Sequence, residues 1–130
     1  MDYAKNTNLF DYTPRDIGYH SEKKWDNADK TLESIFLALM AGDERQTEAA
    51  QRANLPEANP ILGEHPSKTK IRSYFAATAL AHMGLADLLP SKYRKVLQGL
   101  SVGFEGNVVN QNRNLKDSKG ASIGLDAIRW

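Results

Sequence analysis

Asp43, Gln46, Glu57, His82 and Glu105 are the side chains whose types suit acid–base chemistry. Carboxylate and imidazole groups brought together can pass a proton near neutral pH. Here they fall in separate stretches of the chain, so a site has to assemble in space. The sequence carries no Gly-x-Ser-x-Gly, no phosphate-binding loop and no His-Glu-x-x-His. His20, His65 and His82 stand far apart without metal-ligand spacing, and there are no cysteines to form disulfides, thiolate sites or nucleophiles. Neither a metal nor another cofactor is expected.

Whatever positions these groups is built around residues 55–67. Pro56, Pro60 and Pro66 rule out a continuous helix there, because each ring lacks an N–H and pushes its predecessor out of the α region. This stretch is a rigid connector carrying Glu57, Asn59 and His65. A first helix is predicted from about Asp29 to Ala53, capped by Asp26 or Asp29. Its apolar stripe is Leu32, Phe36, Leu39, Ala50 and Ala53, and Asp43 and Gln46 fall on the same side. Polar groups facing inward need partners. Those two are therefore either satisfied structural groups, with Asn59, His65, Glu105 or Asn110 as partners, or part of a site.

Ser67 reads as the cap of a second helix, about 68–89, which Pro90 ends. Tyr74, Thr78 and His82 share one side of it, and Ala77, Ala81 and Gly84 make a small-residue side. A lone histidine on an apolar helix face is ordinarily a satisfied core residue. The turn at Pro90 is short, so the next helix, about 92–113, is expected to run back alongside. That third helix has three stripes: Gly99, Gly103, Gly106 and Asn110; Leu97, Leu100, Phe104 and Val108; and Gln98, Ser101, Glu105 and Asn112. Glycine weakens an aqueous helix by about 1 kcal/mol relative to alanine. Gly99, Gly103 and Gly106 are accordingly read as a helix-packing interface.

Residues 1–25 hold Tyr3, Phe10, Tyr12, Tyr19 and Trp25 among polar residues, without helical or alternating period. They read as an arm that packs on a partner subunit, with no apolar stretch of the kind a secretory signal needs. Residues 114–130 read as a tail with an apolar anchor at Ile128-Arg129-Trp130. The helical domain spans 26–113. A net charge of +1 gives no basic field for nucleic acid, whose binding is not expected. Lys68, Lys70 and Arg72 at one end of the second helix, and Lys92, Arg94 and Lys95 beyond the other, read as solvated helix ends. Contact with phosphates is the alternative.

Asp43-x-x-Gln46-Thr47, then Glu57-x-Asn59-Pro60-Ile61-Leu62-Gly63-x-His65-Pro66-Ser67, then Tyr74, His82 and Leu89-Pro90, with Glu105 and Asn110 further on, form a pattern. It resembles a group of small uncharacterised proteins from phages and proteobacterial genomes, over residues 32–113. The resemblance implies a three-helix protein of membrane type with no established activity. This chain departs from that type in its first helix, where Glu33, Asp43, Glu44, Arg45 and Glu48 interrupt an apolar run too short to span a bilayer. Its mean hydropathy is −0.55.

The expectation is therefore an all-α, three-helix up-down-up bundle with an extended N-terminal arm and a C-terminal tail, acting as a homo-oligomer or within a larger assembly. The function expected is a non-enzymatic phage-type virion assembly or ejection-apparatus subunit, placed in the virion or in the host cytoplasm or inner membrane. A holin-like membrane protein is one alternative. A small helical-bundle enzyme using Asp43, His82 and Glu105 is the other.

Overall fold

The computed structural model describes residues 24–128. Three long helices, α1 (Asn27–Arg52), α2 (Lys68–Leu88) and α3 (Ser91–Asn112), are followed by one short turn of helix, α4 (Gly124–Ala127). Asp26 and Asp29 share the start of α1 in a capping box, each carboxylate accepting from the other's backbone N–H. Asn54, in the left-handed region at φ 56°, ends it. The N–H groups of Asn54 and Leu55 donate to the carbonyls of Gln51 and Ala50, closing the last turn in a Schellman pattern. Ser67 caps α2 by accepting from the Lys70 N–H, and Pro90 separates α2 from α3.

The connector is held by its own polar groups. Glu57 accepts from the Asn59 N–H, and Asn59 accepts from Ile61, which fixes a tight turn. Lys70 Nζ then donates to the Leu62 carbonyl at 2.6 Å, and Leu62 enters the core beside Phe36, Met40, Ile71 and Phe75. Glu57 and Asn59 are thus spent on this turn. His65 is exposed on its outside.

α1 and α3 run parallel and make the main contact, with α2 antiparallel to both. The bundle is up-down-up, as its connections require. Facing residues on α1 are Asp29, Glu33, Phe36, Met40, Asp43, Thr47 and Ala50; on α3 they are Arg94, Gln98, Ser101, Glu105, Val108 and Asn112. Steps of four and three alternate on both helices, the spacing of a heptad seam. The inward stripe of α3 is therefore its polar one. Leu100 and Phe104 of the apolar stripe are 71% and 70% exposed. Of the stripe expected on α1, Phe36 and Ala50 are buried, whereas Leu32, Leu39 and Ala53 are only half-buried, so the inward side is turned slightly from the expected line. α2 lies against α1 and touches α3 sparsely, so the bundle is open along its α2–α3 side.

The segment after α3 folds back onto the bundle. Lys116 and Ser122 form a bridge around a turn in which Asp117 accepts from the N–H groups of Lys119 and Ala121. It delivers α4 to α1, where Ile128 lies near Gly42. Gly124 is required at the join, because a Cβ there would collide with the Asn112 carbonyl. The predicted tail is therefore a folded cap as far as Ile128. Trp130 and the arm aromatics Tyr3, Phe10, Tyr12 and Tyr19 lie outside the described residues. Trp25, the last arm residue, makes contacts within its own chain: its indole N–H donates to Asp87 and its ring lies 5.0 Å from the Arg94 guanidinium carbon.

Candidate functional site

Two polar clusters lie along the α1–α3 seam. The first is at its N-terminal end. Arg94 and Asp29 are both completely buried, and Arg94 Nη1 donates to Asp29 Oδ2 at 2.9 Å. Arg94 also donates to the carbonyls of Ala86 and Leu89, clamping the end of α2. Lys95 reaches Asp26 at 2.6 Å. One turn further, Gln98 Nε2 donates to Glu33 Oε2 and to the Asp29 carbonyl. Glu33 Oε1 meets His82 Nδ1 at 3.0 Å, and His82 Nε2 meets the Ser101 hydroxyl at 3.0 Å. A carboxylate only accepts, so Nδ1 carries the hydrogen in the contact with Glu33. Phe36 packs over the imidazole at 4.0 Å. The reading of Arg94 as a solvated helix end is corrected here: its charge is drawn inside by Asp29, a partner on another helix. Lys68 and Arg72, at the other end of α2, do stay at the surface, beside Glu48.

The second cluster sits three turns along α1. Asn112 Nδ2 donates to Asp43 Oδ1 at 2.7 Å, and Glu105 faces Asp43 closely enough for each carboxyl to act on the other's proton. Two carboxyl groups facing each other in a buried place favour the state in which a proton is held there. Burial pushes the Asp43 carboxyl up to about 6, with the charge of Glu57 adding to the effect. Burial also pushes Glu105 up to about 7, helped by the negative charge of Asp43. Glu105 Oε1 is buried with no N–H or O–H of the described residues donating to it. Gln46, at the end of the seam, donates to the carbonyls of Val109 and Gly124 and so ties α1 to α3 and α4.

A groove of about 870 Å³ runs along the open side of the bundle. Its floor includes Phe36, Met40 and Asp43; Tyr74, Thr78 and His82 form one wall, and Leu97, Leu100, Phe104 and Val108 the other. Asp43, Glu57, Asn59, His82 and Glu105 all border it, as the types of those residues led one to ask. Their bonding divides them, however. Asp43 and Glu105 pair with each other, His82 belongs to the Glu33 cluster, and Glu57 and Asn59 belong to the connector turn. Gln46 is buried beyond it. Asn110 and His65 are exposed and stand outside both buried clusters.

Of the glycine interface, Gly106 is packed within the chain, its Cβ position 3.8 Å from Leu39 Cδ1. A Cβ at Gly99 or Gly103 would meet nothing within 4 Å. The residues that sequence reasoning placed wrongly or left without a role are Glu33, Arg94 and Gln98, and Asp29 was read only as a cap. Their signal was a pair of polar heptad steps, 29/33 and 94/98, one acidic and one basic-amide.

Among the described residues no group of three His, Asp or Glu is placed to hold a metal ion, and no helix is long and apolar enough to cross a membrane. In comparisons with known proteins, no family model, no curated protein and no solved structure matches this chain.

Proposed function

We propose that this protein is a non-enzymatic assembly subunit that joins further copies of itself through the outer faces of α2 and α3. One observation carries the reading. From Val96 to Asn112 helix α3 has a single charged residue, Glu105, and that residue is buried. From Ser73 to Ala86 helix α2 has no Asp, Glu, Lys or Arg, while Leu80 and Met83 face outward. Val96 continues the uncharged surface on α3 beside Gly99 and Gly103, whose bare backbone leaves room for a close neighbour. Depletion of charge over an exposed apolar face is the mark of an interface core. The resemblance noted in the sequence supports a phage-type setting, a virion or ejection apparatus, for such an assembly.

The enzyme reading is weaker, because both nitrogens of His82 are already engaged by Glu33 and Ser101. A holin-like role needs a spanning helix, which none of the described helices supplies. The test is the mass of the native particle with and without detergent, for the parent and for Val96→Lys and Gly103→Lys. Both positions are open in the single chain, so the variants should keep their helicity and lose self-association. A parent that runs as one 14.5 kDa chain at high micromolar concentration would overturn the proposal.

A further inference from the structure

We propose that the groove between α2 and α3 seats an amphipathic helix of a partner protein, apolar where it meets Leu97, Leu100, Phe104 and Val108, with one lysine or arginine reaching the Asp43–Glu105 pair. The inference concerns the groove, not the outer faces, and does not depend on self-association.

The shape of the groove specifies a helix. It follows α1 from Phe36 to Ala50, about 21 Å at 1.5 Å per residue, which is the length of a four-turn helix. Its edges are helices whose backbone groups are already bonded within themselves, so an extended segment would find no partner strand. A fourth helix laid there would close the side on which α2 and α3 scarcely touch, giving a four-helix bundle. It would also cover Leu100 and Phe104, which a small molecule lying on the floor would leave largely in water.

The chemistry of the groove specifies the charge. Asp43, Glu57 and Glu105 border it, and no lysine or arginine of the described residues does. No described residue donates to Glu105 Oε1, and Asn112 is engaged with Asp43. On the α2 side the titratable groups are Tyr74 and His82, the latter already bound to Glu33 and Ser101. An ammonium or guanidinium group arriving from above would satisfy both carboxylates and release the proton between them. Binding should therefore strengthen as pH rises through the range, about 6 to about 7, in which that proton leaves.

The probe is a designed peptide of about four turns, leucine and alanine on one face, with a single lysine at its centre. Its counterpart has norleucine at that position. The full chain should bind the lysine peptide about tenfold more tightly at alkaline pH, and the preference should shrink in mildly acidic buffer. In Asp43→Asn/Glu105→Gln, which keeps the shape and removes the charges, the two peptides should bind alike. Absence of binding by either peptide, equal binding to the parent, or a preference that survives in the double variant would each overturn the proposal. Val96→Lys, which lies outside the groove, should lose self-association yet bind the lysine peptide unchanged, so the two proposals fail separately.

Discussion

Near Trp25 the seam between α1 and α3 sets acid against base, whereas three turns on it sets acid against acid. Asp29 faces Arg94 and Glu33 faces Gln98 and His82, so each carboxylate there has a donor within 3.0 Å. Asp29 Oδ1, which accepts no hydrogen bond among the described residues, still has the Lys95 ammonium 3.7 Å away. Asp43 faces Glu105, and the two have one amide, Asn112, between them. The spacing on each helix is the same in both places. What differs is the side chain that comes across, and with it the use to which the polar core is put. A matched buried pair fixes which helix lies next to which and in what register. A mismatched one is left with a demand that a proton, or a cation from elsewhere, has to meet.

The comparison is broken most severely at its matched end. Arg94→Leu leaves Asp29 buried without its guanidinium, and loss of about 3–5 kcal/mol is expected in urea denaturation. Asp29→Leu/Arg94→Leu removes both charges and should recover much of that loss. A single variant as stable as the parent would mean that the pair is not buried as described.

The mismatched end should respond in the opposite sense. Asp43 and Glu105 have carboxyl groups raised from 3.8 and 4.5 to about 6 and about 7. The folded state thus holds protons more tightly than the unfolded chain. The stability this confers is complete below about pH 4 and is lost as pH rises through about 6 to about 7. Asp43→Asn, whose amide oxygen can still accept from Asn112 and whose NH2 can donate to Glu105, should gain about 1–2 kcal/mol near pH 8 and flatten the change in melting temperature between mildly acidic and alkaline buffer. Parallel pH profiles for parent and variant would show that no proton is shared.

The smallest effect belongs at the surface. Arg72 bridges Glu48 at 2.7 Å and Glu44 at 3.8 Å, but it is exposed, and solvent screens such pairs. Arg72→Ala should melt with the parent and show no added salt dependence. A clear shift would place that end of α2 deeper than it is.

The helices and their ends were legible because they depend on neighbours in sequence. Asp26 with Asp29, Ser67 and Pro90 mark boundaries through bonds made within a few residues. The connector was legible for the same reason, since proline acts locally. The inward placement of Asp43 was also readable from its stripe, and Glu105 was among its expected partners. The direction in which α3 turns was not. Its apolar stripe, Leu97 to Val108, looks like a core by composition, yet the polar stripe is buried because Asp29 and Glu33, more than sixty residues earlier, supply its partners. Arg94 was misplaced for that reason, because a lysine- and arginine-rich helix start is indistinguishable from a solvated one until the matching acid is found.

The parallel alignment of α1 and α3 has a further consequence, for the order of folding. Ordinary helical hairpins zip up from a short turn, so their contacts are local and they form fast. Here the closest pairing joins residues 62 to 69 positions apart, and the helix between them grips only one of its neighbours firmly. The α1–α3 seam cannot begin at a turn; a large loop has to close before it forms, with the entropy that entails. Refolding should therefore be slower than expected for an all-helical chain of this size. The amides of α2, clamped at its end by Arg94 but open along one side, should exchange with solvent before those of the two helices it connects.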